Sequence, residues 1–135
     1  MHARNMNYRP SSAFSTVKFN TVEFDTANKW NSTLNCYSNA ISGYYQVNAR
    51  IITGTNVNNN DQISIRLRKN GVDLRAGQDY TAAGTEPVSG SVASVIKLET
   101  GDWIDIVTLV TGGTSHLLSS NSYDTYFNGA FIRGI

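Results

Sequence analysis

The sequence holds a single cysteine, Cys36, and so cannot close a disulfide within the chain. Nothing in it therefore requires an oxidising compartment, and Cys36 reads as a small buried side chain. Histidine is almost as scarce, with His2 near the start and His116 in a polar stretch. A nucleophilic triad needs a base that converges on its nucleophile, so Ser115 beside His116 carries no weight by itself. A tetrahedral zinc site needs about four Cys or His ligands, which this sequence does not have. Charged residues make up 16% of the chain, eleven Lys and Arg against ten Asp and Glu, with no basic run. That balance gives no electrostatic handle on nucleic acid or an anionic membrane. No apolar run approaches the roughly 20 residues of a membrane-spanning helix. The first fourteen residues lack the apolar centre of a signal peptide. No phosphate-cradling glycine loop is present, and Gly112-Gly113 reads as a turn. No window sustains a helical period, and no internal repeat is visible.

What is abundant is Asn, Ser, Thr and Gly, which favour turns and strand edges over helix interiors. Between these polar clusters, apolar residues recur with period two. At 135 residues the chain is long enough for one domain burying roughly two-thirds of its unfolded surface. Residues 1–12 read as an arm or linker and 13–135 as the domain. Strands are expected near 13–19 and 22–24, followed by a loop anchored by Trp30. In the segment GYYQVNARIIT, Tyr45, Val47, Ala49 and Ile51 share a face. The cleanest alternation is QISIRLRKNG, with Ile63, Ile65 and Leu67 inward and Arg66 and Arg68 outward. Its Asn70-Gly71 pair suits the positive φ of a tight hairpin turn. A short strand at 72–76 follows, then a loop at 77–89, then a strand with Val92, Ser94, Ile96 and Leu98 on one face. Gly101-Asp102 turns the chain into a strand at 103–110. The loop at 111–125 is polar except for Leu117 and Leu118, and the last strand, 126–132, is expected to lie inside a sheet. Eight to ten strands without a helix indicate an all-β sandwich or jelly roll.

Strand 103–110 breaks the alternation. Ile104, Ile106, Thr108 and Val110 line one side, while Trp103, Val107 and Leu109 line the other with Asp105 among them. A strand of a one-sided antiparallel sheet should present a polar second face. The expected second cover is another copy of the chain, with Trp103, Asp105, Val107 and Leu109 at the interface together with Tyr44 and Tyr126. Asp105 is then expected to bond a neighbouring subunit, or to hold a metal on the symmetry axis.

Several short blocks resemble the C1q/TNF-like jelly-roll domain from about residue 13 to residue 132. AFST is similar to its opening strand, and FNTVEFDTANKW to its spaced apolar and aromatic positions. SGYYQVNARI resembles its Gly-x-Tyr-x-Phe block through Gly43, Tyr45 and Val47, with Val where Phe is preferred. LETGDWIDI resembles its Leu-x-x-Gly-Asp-x-Val-x-Leu block through Leu98, Gly101, Asp102, Ile104 and Ile106. TYFNGAFI resembles its closing Phe-x-Gly-x-Leu block through Phe127, Gly129 and Phe131. The resemblance implies a ten-stranded sandwich that assembles as a compact homotrimer and serves as a ligand-like or recognition head.

No catalytic constellation emerges. Asp102 and Asp105, three apart on a strand, point to opposite faces, and Asp102 reads as the acceptor of backbone N–H groups in its turn. Asn58, Asn59, Asn60 and Asp61 gather oxygens but lack the spacing of an EF-hand loop. No cofactor is assigned, and calcium is the one cation this loop could interest. Asn31-Ser32-Thr33 fits a glycosylation sequon but reads as an ordinary loop. Contacts to a ligand are sought at Arg50, Arg66 and Arg68, able as a cluster to grip a carboxylate, and at Tyr80, His116 and Tyr123 in polar loops. The sequence thus reads as a non-enzymatic homotrimeric head binding a cell-surface glycan or protein. Its expected setting is a virion surface, as a phage fibre tip or capsid decoration protein among other virion proteins. A bacterial or spore surface lectin head, or a carbohydrate-binding module beside an enzyme, stands as the alternative.

Overall fold

The computed structural model describes residues 2–5, 8–9, 14–39, 41–53, 60–85, 87–110, 116–117 and 124–135. Of the expected sites, Tyr123, Asn58, Asn59 and the side chain of His116 lie outside the described residues. Fourteen strands occur among the described residues, and no helix. The first six are β1 (His2–Asn5), β2 (Tyr8–Arg9), β3 (Ser15–Thr16), β4 (Phe19–Phe24), β5 (Trp30–Asn31) and β6 (Cys36–Ser38). Two long strands follow, β7 (Gly43–Ile52) and β8 (Gln62–Lys69), then β9 (Val72–Ala76) and β10 (Tyr80–Thr81). The last four are β11 (Ser89–Leu98), β12 (Trp103–Val110), β13 (His116–Leu117) and β14 (Tyr126–Gly134).

Two main sheets face each other. One has five strands in the order β11-β7-β14-β1-β4. The other has seven, along β10-β8-β12-β6-β5, with β3 beside β12 and β9 beside β8. The core between them draws Val47, Ala49 and Ile51 from β7, Ile63, Ile65 and Leu67 from β8, and Ile104, Ile106 and Val110 from β12. The inward faces expected of β7 and β8 are the buried ones. β14 lies between β7 and β1, so the last strand is paired on both edges as expected. Trp30 does anchor its loop, packing edge-on against Phe19 and Phe127 at 6.1 and 5.9 Å between ring centres.

Turn chemistry follows the asparagines. Asn28, Asn35, Asn60 and Asn70 all adopt positive φ, which Asn tolerates better than other residues with a Cβ. Asn70 (φ 52°) and Gly71 (φ 82°) form the tight turn between β8 and β9. Gly43 is fixed by space. A Cβ there would run into the Arg133 carbonyl oxygen and the Phe131 ring, because β7 and β14 close up at that end.

Two expectations are corrected. Residues 2–5 belong to the domain: β1 pairs with β14 on one edge and β4 on the other. Their sequence, HARN, shows no alternation, and the pairing of β1 with both neighbours places them. Phe131, expected in the core, is 47% exposed: it packs on inward-facing Tyr45, 5.4 Å between ring centres, but stands at the end of the sandwich where the sheets leave a cavity.

Candidate functional site

Three surfaces could carry function: the outward face of each sheet and the loops between strands. On the five-stranded sheet, alternation turns Tyr44, Gln46, Asn48, Arg50 and Ile52 of β7 outward. The register sets them in rows across β11, β7 and β14. Ser91, Arg50 and Tyr126 form one row, and Ala93, Asn48 and Asn128 the next. Val95, Gln46 and Ala130 follow, then Lys97, Tyr44 and Arg133. Amides bond along the middle: Gln46 Nε2 donates to Asn48 Oδ1 at 3.0 Å, and Asn48 Nδ2 donates to Asn128 Oδ1 at 3.0 Å. Val95 beside them is 50% exposed. Arg133 lies 5.7 Å over the Tyr44 ring. The centre of this face carries no charge, with Ala93, Asn48, Asn128, Val95, Gln46 and Ala130 in its middle rows. Tyr44 and Tyr126, both expected at an interface, lie on it.

The outward face of the seven-stranded sheet overturns the reading of β12. Asp105 is 3% and Val107 2% exposed within a single chain. No second copy is needed to cover them, so they are not available as interface residues. Trp103 and Leu109 are half-buried, and Trp103 packs over the turn at Gly71. The cover comes from the chain itself. Arg68 grips Asp105 with two bonds, Nε to Oδ1 at 3.0 Å and Nη2 to Oδ2 at 2.6 Å. Thr16 on β3 donates to the same carboxylate at 3.3 Å. Val107 sits opposite Thr16 on one neighbour and Arg66 on the other, Phe14 stacks on Arg66 at 5.3 Å, and β2 runs alongside β12. The acid expected to bond a neighbouring subunit is bonded by its own chain.

The three arginines do not form a cluster. Arg66 and Arg68 project from β8 and Arg50 from β7, on opposite outer faces of the sandwich. Each already has an acid: Arg66 with Asp79 at 3.0 Å, Arg50 with Asp124 at 3.5 Å, and Arg68 with Asp105. Tyr80 is exposed on β10. Among the described residues, no group of three or more His, Cys, Asp or Glu could hold a metal ion. Asp61 of the Asn-rich loop is buried.

Asp102 behaves as its turn requires. It accepts from the Asn70 side chain at 2.9 Å and from the Glu99 backbone N–H at 2.8 Å, and pairs with Lys69 at 3.0 Å. The Asn70 bond first, then the Glu99 N–H and Lys69, lower its pKa from 3.8 to about 2. A carboxylate lowered by folding stabilises the fold above its unfolded pKa and loses that contribution as pH falls toward the folded value. The midpoint of urea unfolding should therefore hold down to about pH 4 and fall between there and about pH 2. In Asp102→Asn that acid slope should be shallower, and an unchanged slope would remove Asp102 from the account. Cys36 is buried on β6; burial, then the nearby Asp105 charge, raise its thiol pKa, which keeps it unreactive at neutral pH.

Solved structures carry the same architecture. Eiger TNF from S. frugiperda superposes with a TM-score of 0.70 at 13% identity, covering 99% of this chain and 92% of its own. Murine APRIL gives 0.70 at 14%, covering 97% and 96%. The globular domain of zebrafish complement 1qA gives 0.70 at 14%, covering 99% and 95%. No family model matches the sequence, and no curated protein matches it significantly. The chain has the C1q/TNF-like jelly-roll fold.

Proposed function

We propose that this chain is a non-enzymatic module that self-assembles as a homotrimer and presents its loops to a protein or glycan on a cell surface. The observation that carries the reading is the outward face of the five-stranded sheet. It combines exposed Val95, half-buried Tyr44 and Tyr126 and a row of three amides joined by two hydrogen bonds. A face with these properties can be covered by a second copy at reduced desolvation cost, since Asn48 at its centre is already paired through both amide atoms. The family resemblance supports a trimeric arrangement. Assembly therefore moves from β12 to the opposite sheet. The reading includes no cofactor. Placement on a virion, as fibre tip or decoration protein, rests on the sequence reading alone, and the genes flanking this one test it.

Wild-type protein should sediment at three times the 14.8 kDa of one chain. Val95→Asp should give folded monomers, because a charge exposed in the single chain becomes buried and unpaired in the assembly. Leu109→Arg, on the other sheet, should leave the trimer intact. A wild-type chain that is monomeric at micromolar concentration, or a Val95→Asp chain that still forms trimers, would overturn this arrangement.

A further inference from the structure

The two sheets do not close on each other at one end of the sandwich. There, β7 and β12 begin and β11 and β14 end, leaving a cavity of about 410 Å³. Protein interiors pack at close to crystal density and seldom leave such space. The volume lies within the range of about 300–1,000 Å³ typical of small-molecule pockets. It has room for roughly a dozen non-hydrogen atoms at about 30 Å³ each.

The walls are apolar, with Val47, Leu98, Ile104 and Phe127 from both sheets. Three exposed apolar side chains, Phe24, Ile41 and Phe131, stand around the opening. The polar groups are few. Tyr45 lines the cavity but commits its hydroxyl to the Ile41 carbonyl at 2.5 Å. Tyr37 also lines it, and its hydroxyl makes no hydrogen bond among the described residues. Burial first, then Tyr45 and Asp25, push the Tyr37 phenol up from 10.0, so it stays protonated and able to donate at neutral pH. Among the described residues Asp25 is the one acid on the lining, and its Oδ2 is held by the Lys29 and Trp30 N–H groups at 2.7 Å each. No lysine or arginine among the described residues lines the cavity to balance it.

We infer that this cavity is a binding site for a small uncharged amphiphile, an aliphatic or aromatic body with one hydroxyl or carbonyl that meets the Tyr37 hydroxyl. Anionic forms of the same skeleton are disfavoured by Asp25. The inference stands apart from assembly, since the cavity lies between the sheets of one chain and is complete without a second copy.

The test uses 1-octanol and octanoate at neutral pH, titrated into the full chain. Tryptophan emission serves as the readout, because Trp30 lies edge-on to Phe127 on the cavity wall. Octanol should bind saturably, and octanoate at least about tenfold more weakly. Tyr37→Phe should weaken octanol about three- to tenfold, the value of one hydrogen bond. Gly129→Leu should fill the space from β14. A Cβ at Gly129 meets nothing closer than the Gln46 carbonyl oxygen at 3.5 Å, so the chain can accept it. That variant should keep its thermal stability and lose octanol binding. Equal binding by Gly129→Leu, octanoate binding as well as octanol, or no saturable signal from wild type would each overturn the site. The last outcome includes a cavity already filled by a side chain from a second copy. Should Gly129→Leu fail to fold, the Tyr37→Phe and octanoate arms still decide.

Discussion

Replacing Arg68 with methionine should destabilise the fold by about 3–5 kcal/mol, the usual cost of leaving one member of a buried ion pair behind. Asp105 is almost fully buried on β12, and its two shortest bonds come from Arg68. Methionine keeps most of the aliphatic stem and removes both donors. The carboxylate is then left with the Thr16 hydroxyl at 3.3 Å. Because the Arg68 side chain is 27% exposed, some water can reach the gap, which places the expected loss at the lower end, about 3 kcal/mol. The double variant Arg68→Met with Asp105→Leu should recover most of that loss, since an apolar pair of similar volume avoids desolvating either charge. Urea unfolding at one fixed protein concentration measures both, and the fixed concentration keeps assembly from entering the comparison. A single variant that loses less than about 1 kcal/mol would mean that water, and not Arg68, solvates the carboxylate.

Phe127→Ala should cost a similar amount, about 3–5 kcal/mol, by a different route. Its ring is buried between the sheets, 5.7 Å from Phe19 and 5.9 Å from Trp30. Truncation removes both aromatic contacts and enlarges a space that is already open on one side. Little can collapse into it, because β14 is pinned by β7 and β1 on its two edges. Phe127→Leu keeps most of the volume and should lose only about 1–2 kcal/mol. Equal losses from the two variants would show that the ring's geometry, and not its bulk, is what the core uses. The Ala variant should also blue- or red-shift Trp30 emission in the folded state, since its edge-on neighbour is gone.

The periodic strands were legible because burial follows period two directly. Tyr45 through Ile51 and Ile63 through Leu67 lie inward as their alternation requires. The hairpin at Asn70-Gly71 and the turn at Gly101-Asp102 were legible because positive φ restricts which residues can stand there. Asp102 was legible as a turn acceptor because its carboxylate reaches the Glu99 N–H only three residues back. The second face of β12 was misread. An apolar side on a strand signals that something covers it, but not whether the cover is the same chain. Thr16 and Arg68, 89 and 37 residues from Asp105, supply it here. The arginines were misjudged for a related reason. Alternation tells which side of its own strand a residue takes, but not which sheet the strand joins. Arg50 and Arg66 thus point away from each other. The cavity left no signal in the sequence, because the apolar residues on its walls look like ordinary core positions and Asp25 and Thr26 like an ordinary loop.

By itself the sequence determined the class of fold, the long strands and their inward residues, and the tight turns. These depend on side-chain period and backbone conformation, which act over a few residues. The tertiary structure alone decided the pairing of Arg68 with Asp105, the place of residues 2–5 inside a sheet, the outward amide face and the open end between the sheets. Each of these is set by which distant segments meet, and no local pattern encodes that meeting.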